Sequence, residues 1–310
     1  MKIGIIHLTD IHFTDNKNWI DDKIATIVSA LIADLKCVSK AYILITGDIA
    51  NTGKTAEYLV AEFFFNKLKG SLERFCPSTE IKFIMIPGNH DCNFDYDTQS
   101  RRNDIKGMDY SKIGEDDSVT NSSMSVQKDY WKFYEKFNLL PDNRLFYQIE
   151  DTLGESTILF NCYNTAWMSE INEKPGTLFF PVKSLIGNSL KKANGINIAL
   201  FHHPLSWFNP STETNNKKEF KRYLEENSSI LFYGHEHDEE YLKNQSIATK
   251  LETIYISGNS LQDNFNNHSG FQTIIIDLEA KEGNIKNYKW SNKLYILGME
   301  KPFKLKNPPS

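Results

Sequence analysis

Apolar residues fall along this chain in short runs that stop at polar or glycine-containing turns. Ile3–Leu8 (IGIIHL) is the first, and it reads as a buried strand. In Asp21–Val38 the apolar positions change period: Ile24, Ile27, Val28, Leu31, Ile32 and Leu35 share one stripe of a helix. Ala41–Thr46 is a second strand, closed by Gly47. Thr55–Phe75 is a second amphipathic helix. Ile81–Ile86 is a third strand, closed by Pro87-Gly88. This β-α-β-α-β alternation predicts parallel strands joined by right-handed crossovers.

The rhythm breaks between Asn93 and Asn143, a polar and charged stretch with a helix candidate at Ser125–Phe137. It reads as an excursion, residues 93–143, placed to cap or rim a site. Strands resume at Leu145–Ile149 and Thr157–Cys162. A helix at Val182–Lys192, a strand at Ile196–Phe201, a helix at Lys217–Glu226 and a strand at Ser229–Tyr233 follow. The last third is β-rich, with Tyr241–Leu242, Thr253–Ser257, Phe271–Leu278 and Asn284–Trp290, and predicts a second sheet of more antiparallel character. The tail Lys301–Ser310 is rich in Pro and Lys without periodicity. It reads as a linker or frayed end. Residues 1–292 are therefore taken as the domain and 293–310 as a C-terminal extension or linker.

With 310 residues and 40% apolar content the chain can bury a sizeable α/β core, so global disorder is not expected. A net charge of −5 gives no support to a dedicated duplex-DNA binder, although bound cations would create a local positive site. Cys37, Cys76, Cys92 and Cys162 form no CxxC pair, which disfavours a cysteine zinc site and fits free thiols in a reducing compartment. The N-terminal apolar stretch is too short for a signal sequence, and no run of eighteen apolar residues occurs. The expectation is a cytoplasmic protein with no membrane partner.

The chemistry gathers where strands end. The loops are Thr9-Asp10-Ile11-His12, Thr46-Gly47-Asp48, Pro87-Gly88-Asn89-His90-Asp91, His202-His203-Pro204 and Gly234-His235-Glu236-His237. Carboxyl ends of strands line the ligand crevice of an open α/β sheet, so these distant loops should meet at one edge. Asp10 and His12 are two residues apart, as are His235 and His237; in extended backbone each pair would point one way and clamp one location. Carboxylate, imidazole and amide donors without thiolate suit Mn²⁺, Fe or Zn²⁺ better than Ca²⁺ or Cu(I). The donors suffice for two ions, with a carboxylate able to bridge them.

Taken singly, the pieces have plain readings: a surface Asp-His pair, an ordinary Gly-Asp turn, a packed His-His-Pro loop. In this order, each after a strand, they do not read as coincidence. Other signals are weaker. GDIANTGKT, from Gly47, places five residues rather than four between its glycines and is not a P-loop. His235-Glu236 does not continue as HExxH, and Cys92 has no nucleophile context. His7 and His268 read as structural or surface residues. Trp207-Phe208 reads as a loop anchor more than a base-stacking pair. Arg101-Arg102 reads either as a contact to a second phosphate or as a solvated turn.

The ordered set Asp10-x-His12, Gly47-Asp48, Gly88-Asn89-His90-Asp91, His202 and Gly234-His235-x-His237 resembles the calcineurin-like metallophosphoesterase superfamily, over residues 1 to about 292. That group includes purple acid phosphatases, class III cyclic nucleotide phosphodiesterases and nuclease subunits of double-strand-break repair. The resemblance implies a two-sheet αββα sandwich with a parallel N-terminal half and a more antiparallel C-terminal half. It implies that one metal takes Asp10, His12 and His237, that a second takes Asn89, His202 and His235, and that Asp48 bridges them. His90 would face the substrate phosphate, and Asp91 would orient His90 by accepting from its ring N–H. The implied activity is phosphoester hydrolysis by metal-activated hydroxide with two divalent ions, Mn²⁺ first and Fe or Zn²⁺ as alternatives. A phosphodiesterase acting on nucleotides or nucleic acid is the preferred reading. The alternatives are a phosphomonoesterase and an effector or recognition module of a larger regulated protein.

Overall fold

The computed structural model describes the chain apart from Lys17 and residues 109–117, 186–194, 212–214, 238–239, 246–251, 264–267 and 306–310. The N-terminal half runs β1 (Lys2–Leu8), α1 (Ile24–Leu35), β2 (Lys40–Ile45), α2 (Thr55–Phe75) and β3 (Glu80–Met85). Three short helices follow: α3 (Gln99–Lys106), α4 (Ser118–Ser123) and α5 (Lys128–Tyr134). Then come β4 (Phe146–Leu153), β5 (Ser156–Tyr163), β6 (Ile196–Leu200), α6 (Asn216–Asn227) and β7 (Ile230–Tyr233). The chain closes with β8 (Glu240–Gln245), β9 (Glu252–Ser257), β10 (Gly270–Asp277), β11 (Glu282–Ser291) and β12 (Leu294–Lys304).

These strands form two six-stranded mixed sheets, ordered β12-β11-β10-β1-β2-β3 and β4-β5-β6-β7-β9-β8. β1, β2 and β3 are parallel, as the alternation predicts. The last third does not make a sheet of its own. β9 pairs parallel with β7, whereas β10 returns to pair antiparallel with β1, Ile3 opposite Ile276. Both choices put apolar strands in the middle of a sheet, where both faces are covered.

Period-2 alternation fixes the layers. In β6 and β7, Ile196, Ile198, Leu200, Ile230 and Phe232 join the core shared with the first sheet. Their neighbours Ala199, Leu231 and Tyr233 join a second core with Phe220 and Leu224 of α6. On the other side α1 presses on β1, so a Cβ on Gly4 would sit 3.1 Å from Leu35. The result is an α/β/β/α sandwich. The sheets touch through Tyr42 and Phe160, with ring centroids 4.8 Å apart. They are also tied by Asp151 of β4, which accepts from Lys40 Nζ at 2.7 Å, Lys82 Nζ at 2.8 Å and Tyr42 O–H at 2.9 Å.

Several expectations are corrected. The tail is not an extension from 293 onward: β12 pairs with β11 as far as Lys304, because Tyr295 and Phe303 are buried on its inner face. The helix in the excursion is shorter than Ser125–Phe137. It packs on α2 rather than capping a site, since Phe133 stacks on Tyr58 at 5.0 Å and Phe137 meets Phe83 at 4.8 Å. Only a single 3₁₀ turn, Val182–Ser184, is formed in the described part of the expected Val182–Lys192 helix; residues 186–192 lie outside the described residues. Arg101 is no phosphate contact. Its guanidinium is buried, donating to Ser123 O at 2.7 Å, Ser169 O at 2.6 Å and Asp97 at 3.0 Å. Among the described residues no helix is long and apolar enough to cross a membrane.

Candidate metal centre

The loops leaving β1, β2, β3, β6 and β7 converge between the two sheets. Two donor groups form there. In the first, His12 Nε2 and His237 Nε2 face each other at 3.4 Å, and His237 Nε2 lies 3.5 Å from Asp10 Oδ1. In the second, Asn89 Oδ1 lies 3.0 Å from His202 Nε2 and 3.1 Å from His235 Nδ1, and these two nitrogens are 3.2 Å apart. Asp48 Oδ2 stands between the groups, 3.3 Å from His202 Nε2 and 3.9 Å from His12 Nε2.

This arrangement fits cations. Adjacent ligands bound at about 2.1 Å to one first-row ion are themselves about 3.0–3.4 Å apart, in octahedral or tetrahedral geometry. The pairs of the second group, the contact of Asp48 with His202 and the His12–His237 pair fall in that range, while His237–Asp10 at 3.5 Å and Asp48–His12 at 3.9 Å lie beyond it. Lone pairs of two imidazoles directed at each other have no good hydrogen-bond explanation without a proton or cation between them. His202 is the histidine turned to Asp48 and Asn89. Its neighbour His203 stays close, with a ring nitrogen within 4.8 Å of the donors of His202 and His235, but both its nitrogens are engaged elsewhere, Nε2 at 3.1 Å from Glu173 and Nδ1 at 3.2 Å from the Thr165 hydroxyl.

The backbone departs from the extended form that motivated the i, i+2 pairing. Asp10 (φ 49°), His12 (φ 53°), Asp48 (φ 54°), His235 (φ 79°) and His237 (φ 58°) all adopt left-handed conformations. The other non-glycine residues with positive φ among those described, Lys281, Asn292 and Lys293, sit at hairpin turns. The paired side chains therefore converge through tight coils, not through strand alternation. These coils are pinned from outside. The Asp48 carbonyl accepts from Ile11 N at 2.8 Å and His12 N at 3.0 Å, and Gly47 O accepts from Asp10 N at 3.2 Å. The Asp10 carboxylate accepts from His235 N at 3.0 Å, and Asp48 Oδ1 from His90 N at 2.8 Å. Gly88 and Gly234 are required by this closeness, because a Cβ on either would collide with the carboxylate of Asp48 or Asp10.

Protonation follows from burial and charge. Burial resists ionisation of Asp48, but His202, then His90 and His12, hold its carboxyl well below the usual range. Burial likewise opposes Asp10, yet the hydrogen bond from His237 and the charge of His202 bring it down to about 2. Burial lowers His12 to about 4; at His235 burial, with His203 and His202 nearby, lowers it to about 2. For His202 burial alone would lower the imidazole, but Asp48 outweighs it and raises it to about 9. His237 is likewise raised, by its hydrogen bond to Asp10. The centre thus pairs ionised carboxylates with two imidazoles that burial lowers, His12 and His235, and two that the carboxylates raise, His202 and His237, so it attracts positive charge, which a metal would supply in place of a proton.

His90 and Asp91 need separate treatment. The structure does not place Asp91 on His90. The His90 ring donates from Nδ1 to the backbone carbonyl of Asn51 at 2.7 Å, and the ring is exposed. Asp91 is completely buried and accepts from Ile49 N at 3.1 Å, Ala50 N at 3.0 Å, Gly88 N at 2.9 Å and Tyr58 O–H at 2.9 Å. These donors lie on the loops after β2 and β3 and on α2, and they saturate the carboxylate. Asp91 is a clamp between two loops, and Asn51 fixes the tautomer of His90.

Other residues border the centre, and of these Glu173 and Asn51 carried no sequence signal. Trp207 sets its ring edgewise on His235, with centroids 4.2 Å apart, and donates Nε1–H to Glu236 at 3.2 Å. It is a packed anchor, while Phe208 is core. Glu173 reaches His203 from a loop with no motif, and Asn51 acts through its backbone. His7 is structural, held by Gln272 at 2.8 Å and Thr46 at 2.9 Å, and Cys92 is buried with its thiol pushed up by burial. His268 lines a cleft that begins at His237.

With the site described, the chain can be placed. The profile of the calcineurin-like phosphoesterases matches residues 3–239, and the chain belongs to that family. The family is one of metal-dependent phosphoester hydrolases. Solved structures similar to this chain include the calcineurin-like phosphoesterase YfkN from Bacillus subtilis, at 12% identity and TM-score 0.47, with 98% of this chain and 90% of that chain covered. They also include a hypothetical protein from Thermus thermophilus, at 11% identity and TM-score 0.44, with 99% and 100% covered. Wild-type Vps29 from Entamoeba histolytica in complex with zinc is similar at 11% identity and TM-score 0.37, with 97% and 98% covered. No curated protein sequence matches the chain.

Proposed function

We propose that this protein is a dinuclear phosphodiesterase acting on nucleotides or nucleic acid. The observation that supports the reading is the pair of facing donor groups on either side of Asp48. Asp10, His12 and His237 would hold one divalent ion, and Asn89, His202 and His235 the other, with Asp48 touching both; Mn²⁺ fits this oxygen and nitrogen set, with Fe or Zn²⁺ as alternatives. When bound, the two ions supply Lewis acidity, activating a water and neutralising the non-bridging oxygens of the phosphate.

The chain's own residues do the rest. Asp48 and Asp10 stay ionised and set the spacing of the two donor groups. His90, tethered through Nδ1–H to Asn51, is left with Nε2 to face the phosphoryl group; as the imidazolium, with both ring nitrogens protonated, it hands the Nε2 proton to the leaving oxygen and ends as the neutral Nδ1–H tautomer. Its ring stands edge-on to His12 at 4.6 Å, which places it beside the first donor group. Trp207, its Nε1–H held by Glu236, packs edgewise on His235 and keeps that ring in position. The wide cleft that starts at His237 leaves room for the second ester substituent that distinguishes a diester from a monoester.

The test is a substrate panel with Mn²⁺: bis-p-nitrophenyl phosphate, p-nitrophenyl phosphate, 2′,3′- and 3′,5′-cyclic nucleotides, and single- and double-stranded DNA. The diester should be cleaved faster than the monoester. Faster monoester cleavage would overturn the phosphodiesterase assignment, and metal-loaded protein inert on every ester would overturn the enzyme reading itself.

A further inference from the structure

At His237 the centre opens into a cleft of about 1260 Å³. Pockets for drug-sized ligands span roughly 300–1,000 Å³, so a small aryl phosphate would leave most of this space unfilled. Tyr233 and Tyr255, each under a tenth exposed, give the cleft the edge of an aromatic wall backed by the fully buried Phe201, while α6 brings Lys217 and Lys221, β8 brings Lys243 and β11 brings Lys289. This gathering of ammonium groups occurs in a chain with net charge −5, so it does not follow from general basicity. The carboxylates of the lining border the metal centre instead. Glu236 adjoins His237 and already accepts from Trp207 and Ser206, and Asp263 is close enough to act on the charge of His237.

The lysines are not equivalent. Lys243 is in close contact with Glu252. Lys217 and Lys221 stand one turn apart on one face of α6, whose Phe220 and Leu224 are fully buried in the core behind them. Lys221 meets Glu225 only at 3.8 Å and is 44% exposed, an ion pair that solvent screens and a stronger anion would displace. Two ammonium groups on a rigid helix, beside an aromatic wall and continuous with a phosphate-handling centre, suit an anion attached to a planar, partly apolar body.

We propose that Lys217 and Lys221 bind a second phosphate of the substrate. The substrate class is then a nucleotide-type phosphodiester carrying at least one phosphate besides the scissile one. This rests on the phosphodiesterase reading above and narrows it: a monoester or a simple diaryl diester has no group for these lysines.

The experiment compares three esters with Mn²⁺ present: bis-p-nitrophenyl phosphate, thymidine 3′-(p-nitrophenyl phosphate), and the same nucleoside ester bearing a 5′-phosphate. For the unaltered protein the 5′-phosphate should lower KM by about tenfold, the scale of one added charge-assisted contact. In the double variant Lys217→Ala/Lys221→Ala that advantage should vanish, while turnover of bis-p-nitrophenyl phosphate and the thermal midpoint stay unchanged. Lys217→Arg/Lys221→Arg should keep it. Equal KM values for the two nucleoside esters in the unaltered protein, with the diaryl ester still cleaved, would overturn this inference and leave the phosphodiesterase reading standing. An advantage that survives in the alanine variant would overturn it as well. Failure to cleave any of the three would remove both.

Discussion

The assignment of Asp91 as a clamp can be tested by Asp91→Asn, which keeps the shape and changes one acceptor oxygen into a donor. Oδ1 accepts from Ile49 N, Ala50 N and Tyr58 O–H, and Oδ2 from Gly88 N and, more distantly, Ile49 N. The amide would keep its oxygen on the richer side, leaving its NH₂ against the Gly88 N–H. A charge-assisted bond is lost and a buried donor is left unpaired, a cost of about 1–3 kcal/mol. There is an opposing effect. Burial, with the Asp48 charge nearby, pushes Asp91 up to about 6, so removing its charge relieves some repulsion and favours the lower half of that range. In a chain of this size each kcal/mol moves the melting temperature by roughly 2 °C, so a drop of about 2–4 °C is expected. Because Gly88 precedes Asn89, weaker Mn²⁺ binding should accompany it.

The assay is thermal unfolding with and without Mn²⁺, together with a pH–rate profile at saturating metal. Under the clamp reading stability falls, metal affinity falls, and the limb of the profile that reports His90 stays where it was. If Asp91 instead oriented His90, the variant would unfold like the unaltered protein and lose kcat to the same extent as His90→Ala. That outcome would refute the reasoning, since it would mean the contact to Asn51 is not what sets the ring.

Other consequences are equally direct. His90→Ala should retain both metal equivalents by elemental analysis and lose about 10²–10⁴-fold in kcat, as expected for a proton-transferring group; loss of metal would contradict its placement outside the donor sets. Asp48→Ala should lose both ions together, and loss of only one would remove its bridging position. Chelation of the metal should lower the unfolding midpoint, because ions bound at 1,000 times their Kd add about 4 kcal/mol to the folded state; an unchanged midpoint would count against a folded-state site. At Asp151 burial opposes ionisation, but hydrogen bonds from Lys40 and Lys82 bring the carboxyl down to about 2, below the roughly 3.9 of an unfolded chain. Its contribution, about 1–2 kcal/mol after solvent screening, is therefore complete above about pH 4 and is lost as pH falls through 2. Asp151→Asn should be less stable than the unaltered protein at pH 6, with the gap closing toward pH 2; a gap that stays constant over this window would refute the linkage.

What was legible in the sequence divides along a physical line. Side-chain chemistry is carried by residue type, so carboxylates, imidazoles and an amide at strand ends announced the donor groups, and apolar runs announced β1, β2, β3, β6 and β7. Contacts made by backbone atoms have no residue-type signature. Asn51 works through its carbonyl, and the loop coils through φ angles that leave no pattern of spacing. Strand allocation failed for a related reason: β10 pairs with β1 across a long sequence separation, and an apolar run does not say which edge it will cover. The proline in β12 read as a linker signal because local composition outweighed the buried Tyr295 and Phe303 on either side of it.

The left-handed residues explain why the clamp exists. An L-residue in that region is disfavoured by roughly 1–2 kcal/mol, and here the same side chains that would contact metal adopt it at Asp10, His12, Asp48, His235 and His237. Such strain persists only where surrounding structure over-determines it. The loops are too short to do this alone. It is done by the Asp48 carbonyl gripping the loop after β1, by the Asp10 carboxylate gripping the loop after β7, and by Asp91 gripping the loops after β2 and β3. A buried acid with backbone partners on two loops is what holding a strained cation site requires, and one whose oxygens were committed to His90 could not serve there.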